Sequence, residues 1–199
     1  MHFKTKDMKF SPIKAIQQES EELGAVSLAQ GIPKFLPPLS VRKAAAQAIE
    51  EGLADFYGHP RGLPALRKKI SERHLSEEQV FYEPESEVLV TAGAMQGLSA
   101  SLATLLSPGE ELIVLTPSYF PFLNLPSVLG IKPVCVPLKK PDWTLEADRL
   151  KRAISSKTRG ILICHPNNPT GTVYSKKDLE EIMDVARRND LWVFVDEVY

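Results

Sequence analysis

The chain has 199 residues, 43% of them hydrophobic, so it is long enough to bury a sizeable core as one large domain. Its 24 basic and 25 acidic residues give a formal net charge of −1, which argues against nucleic-acid binding because that normally needs clustered basic residues. The first residues lack the apolar stretch of a signal peptide, and no apolar run approaches membrane-spanning length. We therefore expect a cytoplasmic protein with no nucleic-acid and no membrane partner.

The cysteines and histidines give no sign of a metal site. Cys135 and Cys164 each lie within an apolar run and form no paired motif, so we expect buried free thiols rather than a disulfide. The four histidines are scattered without the spacing of metal ligands. No metal is expected.

The first ninety residues predict helices separated by glycine and proline. Ser11-Pro12 is typical of a helix start, with proline at the first helical position, and Gly24 is typical of a helix end. Val88-Leu89-Val90 predicts a short buried strand at 88–91. The predicted helices span residues 11–24, 40–51 and 64–74.

Later in the chain, apolar strands alternate with helices. The predicted strands are 111–115, 133–136, 160–164 and 192–195, and the predicted helices are 98–106, a segment after 119, 146–154 and 176–188. Ser175 with Asp178 three residues on resembles a capping box at the start of the last helix. Strands that are apolar throughout favour a mostly parallel sheet covered on both faces. The sequence therefore predicts an α/β fold with three layers, α/β/α.

Ligands of open α/β sheets bind beyond the carboxyl ends of the strands, where this chain places several polar groups. Gly93-Ala94-Met95 follows the predicted strand 88–91 and starts a helix, whose first amides and positive dipole end suit a phosphate. Taken alone, such a turn is more often an ordinary helix start.

The remaining loops at these strand ends present a ring-sized set of groups. Tyr119 offers an aromatic face, Asn168 a neutral hydrogen-bond donor, Asp196 a carboxylate and Tyr199 a phenol. With a phosphate site, this set matches the flat ring, ring hydroxyl and basic nitrogen of pyridoxal 5′-phosphate. Asp196-Glu197 also resembles the acidic strand end of a P-loop ATPase, and Asn-Asn-Pro-Thr-Gly could be a plain tight turn. However, the chain contains no Gly-Lys dipeptide and no Gly-x-Gly, which P-loop and Rossmann sites need.

Six motifs occur in one order along the chain: L-A-Q-G-I-P, Y-G-H-P-R-G-L-P, T-A-G-A-M-Q, T-P-S-Y, N-N-P-T-G and D-E-V-Y. In this order they resemble the class I/II, fold-type I, aminotransferases, and the resemblance covers the chain from Val26 to Tyr199. It implies that residues 46–199 belong to the large domain, which binds pyridoxal phosphate. Residues 1–45 would be a segment associated with the small domain.

The resemblance implies roles for the residues around the cofactor ring. Asp196 would pair with the pyridinium nitrogen and keep it protonated, so that the ring accepts electrons. Asn168 and Tyr199 would hydrogen-bond the ring 3-oxygen, and Tyr119 would stack on the ring.

The resemblance also implies roles for residues around the phosphate and the substrate. The backbone at Gly93, Ala94 and Met95 would hold the phosphate, to which Tyr57 would reach from the other subunit of a homodimer. Gly31 and Ile32 would line the substrate side near its carboxylate. The substrates would be small molecules, an amino acid and a 2-oxo acid.

Two departures from the family pattern matter. Many relatives carry a hydroxyl residue where this chain has Ala94. The Schiff-base lysine of the family would lie beyond Tyr199, and no lysine present has the matching context. We therefore expect the front half of a transaminase, inactive by itself, in which strand 88–91 is left apart from the sheet of the later four.

Two alternatives to transamination stay open. One is a pyridoxal-phosphate-dependent β-lyase of the same fold, which shares the site. The other is a non-catalytic pyridoxal-phosphate-binding module with a regulatory role.

Overall fold

A computed structural model describes residues 11–199. These residues form two compact units, one ending at Thr91 and the other beginning at Ala92. The predicted domain boundary at residue 45 stays a prediction. None of the helices within residues 11–199 is both long and apolar enough to cross a membrane.

The first unit contains the three predicted helices: α1 (Pro12–Glu22), α2 (Leu39–Glu50) and α3 (Pro64–Glu78). Helices α1 and α3 both begin at a proline, whose fixed backbone angle suits the first helical position and whose missing N–H costs nothing there. Helix α3 continues four residues beyond the predicted end at His74. These helix predictions are confirmed.

A fully buried arginine organises the end of the first unit. The Arg67 guanidinium, 0% exposed, donates to the Gly62 carbonyl at 3.2 Å and to the Pro84 carbonyl at 2.6 Å, and contacts the Glu85 carboxylate at 3.2 Å. Gly62 has φ +92°, and a Cβ there would lie 2.5 Å from the Val90 Cβ, so only glycine fits. Arg67 therefore joins helix α3 to the segments on either side of it.

The predicted strand at 88–91 is not formed, so this prediction was wrong. Val88 is buried, but Leu89 is 55% exposed and no ladder partner occurs among the described residues. The segment is held instead by the Val90 N–H, which donates to the Arg61 carbonyl at 3.0 Å. An apolar run becomes a strand only where a neighbouring strand can pair with it.

The second unit contains a four-stranded, entirely parallel sheet in the order β2-β1-β3-β4. The strands are β1 (Glu111–Thr116), β2 (Lys132–Pro137), β3 (Thr158–Cys164) and β4 (Trp192–Asp196), and the helices are α4 (Ala94–Leu105), α5 (Pro121–Val128), α6 (Ala147–Arg152) and α7 (Lys176–Arg188). Every strand predicted after residue 110 lies within two residues of its observed bounds. As expected, residues 88–91 are not part of this sheet.

Helices cover both faces of the sheet. Side chains of a strand alternate between faces. On β1, Ile113 packs with Leu150 of α6 and Ile182 of α7, whereas Val114 packs with Leu102 of α4 and Phe122 of α5. The predicted three-layer α/β/α arrangement is confirmed for this unit.

Helix α7 begins with the predicted capping box. The Ser175 hydroxyl accepts from the Asp178 N–H at 3.2 Å, and the Asp178 carboxylate accepts from the Ser175 N–H at 3.0 Å. These two bonds satisfy amides that have no partner inside the helix.

The two cysteines differ in burial. Both are free thiols; Cys164 is buried as predicted, but Cys135 is exposed, so the prediction was wrong for Cys135. Cys135 pairs with the buried Val114 and faces the same side, but it lies on β2, an edge strand with a neighbouring strand on one side only in this sheet.

Candidate cofactor site

The strand order opens a crevice between the carboxyl ends of β1 and β3. The chain passes from β1 outward to β2 and then returns across β1 to β3, so the connections after β1 and β3 leave in opposite directions. Such a reversal is where open α/β sheets bind ligands. Tyr119 lies in the loop after β1 and Asn168 in the loop after β3.

Asn167 ties these two loops together. Its side chain, 3% exposed, donates to the Pro117 carbonyl at 3.2 Å and to the Thr170 hydroxyl at 2.7 Å. Its backbone N–H donates to the Thr172 carbonyl at 2.9 Å. Sequence reasoning selected Asn168 and missed Asn167; the available signal was a pair of consecutive asparagines directly after a buried strand.

Asn168 and Tyr199 meet through their side chains. The Asn168 Nδ2 donates to the Tyr199 phenol oxygen at 2.8 Å. The parallel register of β3 and β4 sets Cys164 beside Asp196, and the His165 N–H donates to the Asp196 carbonyl at 2.9 Å. Because the two loops start at the same level of the sheet, the amide and the phenol reach one another.

Asp196 and the start of α4 border one cleft. Asp196 is half-buried at the end of β4, on the same face as Phe194, and its carboxylate accepts from the Val198 N–H at 3.1 Å. The cleft has a volume of about 510 Å³ and also contacts Ala94 and Met95. The predicted carboxylate and two residues of the predicted phosphate turn therefore lie along the same cavity.

Helix α4 begins with a conformation that suits anion binding. Gly93 precedes the helix with φ +84°, a left-handed angle that favours glycine. The amides of Ala94 and Met95, in the first turn, have no partner within the helix. The Gln96 side chain reaches back and accepts from the Ala92 N–H. Gln96, at the glutamine position of a capping box, is a second residue that sequence reasoning missed.

Tyr119 presents an aromatic face at the carboxyl end of β1. Its ring packs edge-to-face on Phe122, with centroids 5.4 Å apart and planes at 88°. Phe122 is 1% exposed, whereas Tyr119 is 39% exposed. The packed edge holds the ring in place and leaves part of its surface open to a ligand.

The sequence of the chain matches the profile of the family Aminotransferase class I and II over residues 24–199. The chain belongs to this family. The family depends on pyridoxal phosphate, and the α/β sheet of the second unit is consistent with the family fold.

Relatives in the aminotransferase family agree in fold and differ in substrate. An aspartate aminotransferase of Pyrococcus abyssi is 38% identical over 87% of this chain and 45% of its own length. A probable N-succinyldiaminopimelate aminotransferase of Mycobacterium tuberculosis is 38% identical over 89% of this chain and 45% of its own length. The solved structure of N-succinyldiaminopimelate aminotransferase from Mycobacterium tuberculosis superposes with a TM-score of 0.92 at 34% identity, over 98% of this chain and 51% of that one. The chain thus spans about half the length of the aminotransferases it matches.

Two weak acids beneath the site are held in their neutral forms. Burial raises the pKa of the Cys164 thiol, the Asn168 backbone N–H opposes this with a smaller effect, and the charge of Asp196 raises the pKa by less still. The thiol donates to the Pro166 carbonyl at 3.2 Å. Burial likewise raises the pKa of Tyr174, whose ring stacks on His165 at 5.6 Å. Both groups therefore act as uncharged support for the loop after β3.

Three predicted site residues of this aminotransferase chain belong to the first unit. Tyr57 is fully exposed, Ile32 is 65% exposed and Gly31 is exposed, with no atom within 4 Å of a Cβ built on it. Their predicted roles toward the phosphate and the substrate stay predictions. Among residues 11–199, no group of three His, Cys, Asp or Glu side chains is placed to hold a metal ion.

Proposed function

We propose that this chain forms the cofactor-binding half of a pyridoxal-phosphate-dependent enzyme that transfers an amino group between an amino acid and a 2-oxo acid. The observation that carries the proposal is the Asn168–Tyr199 hydrogen bond of 2.8 Å, made at the strand ends where Asp196 also lies. An amide donor, a phenol and a carboxylate at one sheet edge suit a pyridine ring that carries a hydroxyl.

The groups present fit the parts of pyridoxal phosphate. When bound, the cofactor supplies an electron-accepting ring. The Asp196 carboxylate would hold a proton on the ring nitrogen, and each pKa unit gained there is worth about 1.4 kcal/mol of differential stabilisation. Asn168 and Tyr199 would orient the ring through its 3-oxygen, and Tyr119 would cover one face of it.

The start of α4 would hold the phosphate. Its first amides and the positive end of the helix dipole attract an anion, and they border the same cleft as Asp196. Ala94 contributes no hydroxyl, so backbone amides of Gly93, Ala94 and Met95 would carry the binding at this end.

The remaining parts of the proposal concern the whole protein. Gly31 and Ile32 would line the substrate side, near the substrate carboxylate. Tyr57 would contact the phosphate bound by the other subunit of a homodimer, a role that its full exposure permits. The substrate class is an amino acid with a 2-oxo acid, and a cytoplasmic location stays a prediction.

A titration of the purified chain with pyridoxal phosphate tests the cofactor site. We expect saturable binding by equilibrium dialysis, with a change in the visible absorbance of the ligand. Asn168→Ala should weaken binding, whereas Asn189→Ala should not, because the Asn189 side chain donates to the Val185 carbonyl at the far end of α7. Absence of saturable binding by the unaltered chain would overturn the proposal for this chain.

A further inference from the structure

Two consecutive asparagines in the loop after β3, Asn167 and Asn168, differ in burial and in the residues they contact. Asn168 is half-buried and contacts Tyr199, whereas Asn167 is 3% exposed and turns toward the core. The Asn167 amide reaches the Pro117 carbonyl, 50 residues earlier in the chain, at 3.2 Å. This hydrogen bond joins the two loops that flank the crevice at the reversal of strand order.

On the β1 side, the bond acts close to Tyr119. Pro117 directly follows Thr116, the last residue of β1, and lies two residues before Tyr119. Beyond Tyr119, the Phe122 N–H donates to the Tyr119 carbonyl at 2.9 Å, and the two rings pack edge-to-face. Tyr119 therefore sits in a short segment that is fixed at both ends.

On the β3 side, the Asn167 amide is itself held. The side-chain Nδ2 of Asn167 also donates to the Thr170 hydroxyl at 2.7 Å, and that hydroxyl lies 2.8 Å from the Thr172 hydroxyl. The Asn167 carbonyl accepts from the Gly171 N–H at 2.8 Å, which closes the turn. Because both the side chain and the backbone of Asn167 are hydrogen-bonded, the residue has little freedom and transmits the position of one loop to the other.

We propose that Asn167 is a positioning residue that fixes the loop of Tyr119 against the loop of Asn168. It thereby sets the width of the crevice between these two loops, where the cofactor ring would lie. The consequence for the cofactor rests on the proposed function. Stacking and hydrogen bonding to one flat ring both require placement to within a fraction of an ångström. Neither loop provides that relative placement by itself, because each follows a different strand.

Asn167→Asp is the sharpest variant, because aspartate has the same shape and replaces the donating amide, from which the Thr170 hydroxyl now accepts, with an oxygen to which that hydroxyl can donate instead. It removes the N–H that Pro117 accepts and sets a carboxylate against that carbonyl. Asn167→Ala, which introduces no charge, serves if the aspartate variant fails to fold. The matched control is Asn189→Asp, where an amide that donates to the Val185 carbonyl at 2.8 Å undergoes the same change at the opposite edge of the sheet.

Amide hydrogen exchange without ligand tests the tie directly. We expect exchange of the Phe122 amide, whose N–H donates to the Tyr119 carbonyl at 2.9 Å, to become roughly tenfold faster in Asn167→Asp, as expected for the loss of one buried hydrogen bond, and to stay unchanged in Asn189→Asp. Unchanged exchange of the Phe122 amide in a folded Asn167 variant would overturn the inference, whether or not pyridoxal phosphate binds.

A double-mutant cycle then separates positioning from simple support of the fold. We expect Asn167→Asp to raise the Kd for pyridoxal phosphate roughly tenfold. In the Asn167→Asp chain, Tyr119→Ala should raise the Kd much less than it does in the unaltered chain. Fully independent effects of the two changes on Kd would refute the positioning role, even if Asn167→Asp also lowers the unfolding midpoint. If the unaltered chain does not bind pyridoxal phosphate, the cofactor part falls with the proposed function, and the exchange result alone decides the tie.

Discussion

Asn168 and Tyr199 are 31 residues apart in the chain, and their side chains are joined by a hydrogen bond of 2.8 Å. The bond exists because β3 and β4 are adjacent and parallel, so the loops that follow them start side by side. An amide and a phenol linked in this way are oriented together before any ligand arrives. Preorganisation of this kind reduces the entropy lost on binding.

Removal of the Tyr199 hydroxyl should weaken cofactor binding. We expect Tyr199→Phe to raise the Kd for pyridoxal phosphate about fivefold, since one hydrogen bond is worth about 1 kcal/mol. Combined with Asn168→Ala, the effect should be smaller than the product of the two single effects, because the residues are in contact. Absorbance titration measures both, and Tyr82→Phe in the first unit is the control. If the effects of the two single changes on Kd multiply fully in the double variant, the coupling between Asn168 and Tyr199 is contradicted.

The Asp196 carboxylate should govern the protonation of bound pyridoxal phosphate. We expect Asp196→Asn to lower the pKa of the ring nitrogen in the complex, because a neutral amide no longer stabilises the protonated ring. The visible spectrum of the complex, recorded across pH, measures this pKa. Glu197→Gln, which neutralises the exposed neighbour, is the control. Equal spectra for Asp196→Asn and the unaltered chain would refute the role of Asp196.

In the whole protein, Asp196→Ala should nearly abolish transamination.

Arg67 should contribute strongly to the stability of the first unit. Arg67→Met leaves the Gly62 and Pro84 carbonyls without their donor, which should cost about 2–4 kcal/mol of the free energy of unfolding. Arg73→Met is the matched control, because Arg73 forms an exposed pair with Glu77 at 2.9 Å that is worth at most about 1 kcal/mol. Urea unfolding followed by far-UV circular dichroism measures both. Similar losses in the two variants would contradict the structural role of Arg67.

Glu111 should make the second unit sensitive to acid. Its carboxylate accepts from the Lys132 ammonium at 2.8 Å and the Ser155 hydroxyl at 2.6 Å, and these bonds hold the pKa of Glu111 below its ordinary value. A group with a lower pKa in the folded chain stabilises the fold above its unfolded pKa, which is about 4.3, and loses this contribution as pH falls through the folded value.

Glu111→Gln should therefore flatten the decline of stability below about pH 4 and lower stability at neutral pH. Urea unfolding at a series of pH values, followed by the fluorescence of Trp143 and Trp192 in this unit, measures the effect. Glu50→Gln, at an exposed position in α2, is the control and should leave the pH dependence as it is. A pH profile identical to that of the unaltered chain would rule out Glu111 as its source.

The two thiols should differ in reactivity. Burial raises the pKa of both thiols, so access decides their reactivity: Cys135 is exposed on an edge strand, whereas Cys164 is buried. A thiol-reactive dye should label one equivalent quickly in the native chain and the second only after unfolding. Cys135→Ser should remove the fast phase and leave the slow one. Two equally fast equivalents would contradict the burial of Cys164.

Much of the fold followed from local patterns in the sequence. Apolar runs bounded by turns located all four strands of the sheet, and Ser175 with Asp178 located the start of α7 within one residue. The run at 88–91 misled for a physical reason: Val90 packs against Gly62 and donates to the Arg61 carbonyl instead of pairing with a strand. The prediction that Cys135 is buried was wrong because the sequence does not say which strand lies at an edge of the sheet.

The candidate site was only partly predictable. The sequence identified Asn168, Asp196 and Tyr199 because polar residues directly after apolar strands are easy to recognise. The structure does bring Asn168 against Tyr199. Asn167 was missed because its importance depends on strand order, which places Pro117 within reach. Gln96 was missed because Gly93, at the N-cap position, has no side chain to complete the Ser/Thr pattern by which a capping box is seen in a sequence.

The pairing of Cys164 with Asp196 makes chain length inside β4 chemically critical. Because side chains alternate between the two faces of a sheet, deletion of a single residue from Trp192–Asp196 would turn the carboxylate to the opposite face, away from α4. Substitutions along this strand change packing, whereas an insertion or deletion relocates a functional group. Among proteins of this family, length differences should therefore fall in connections such as residues 138–146 and spare the strand that carries the carboxylate.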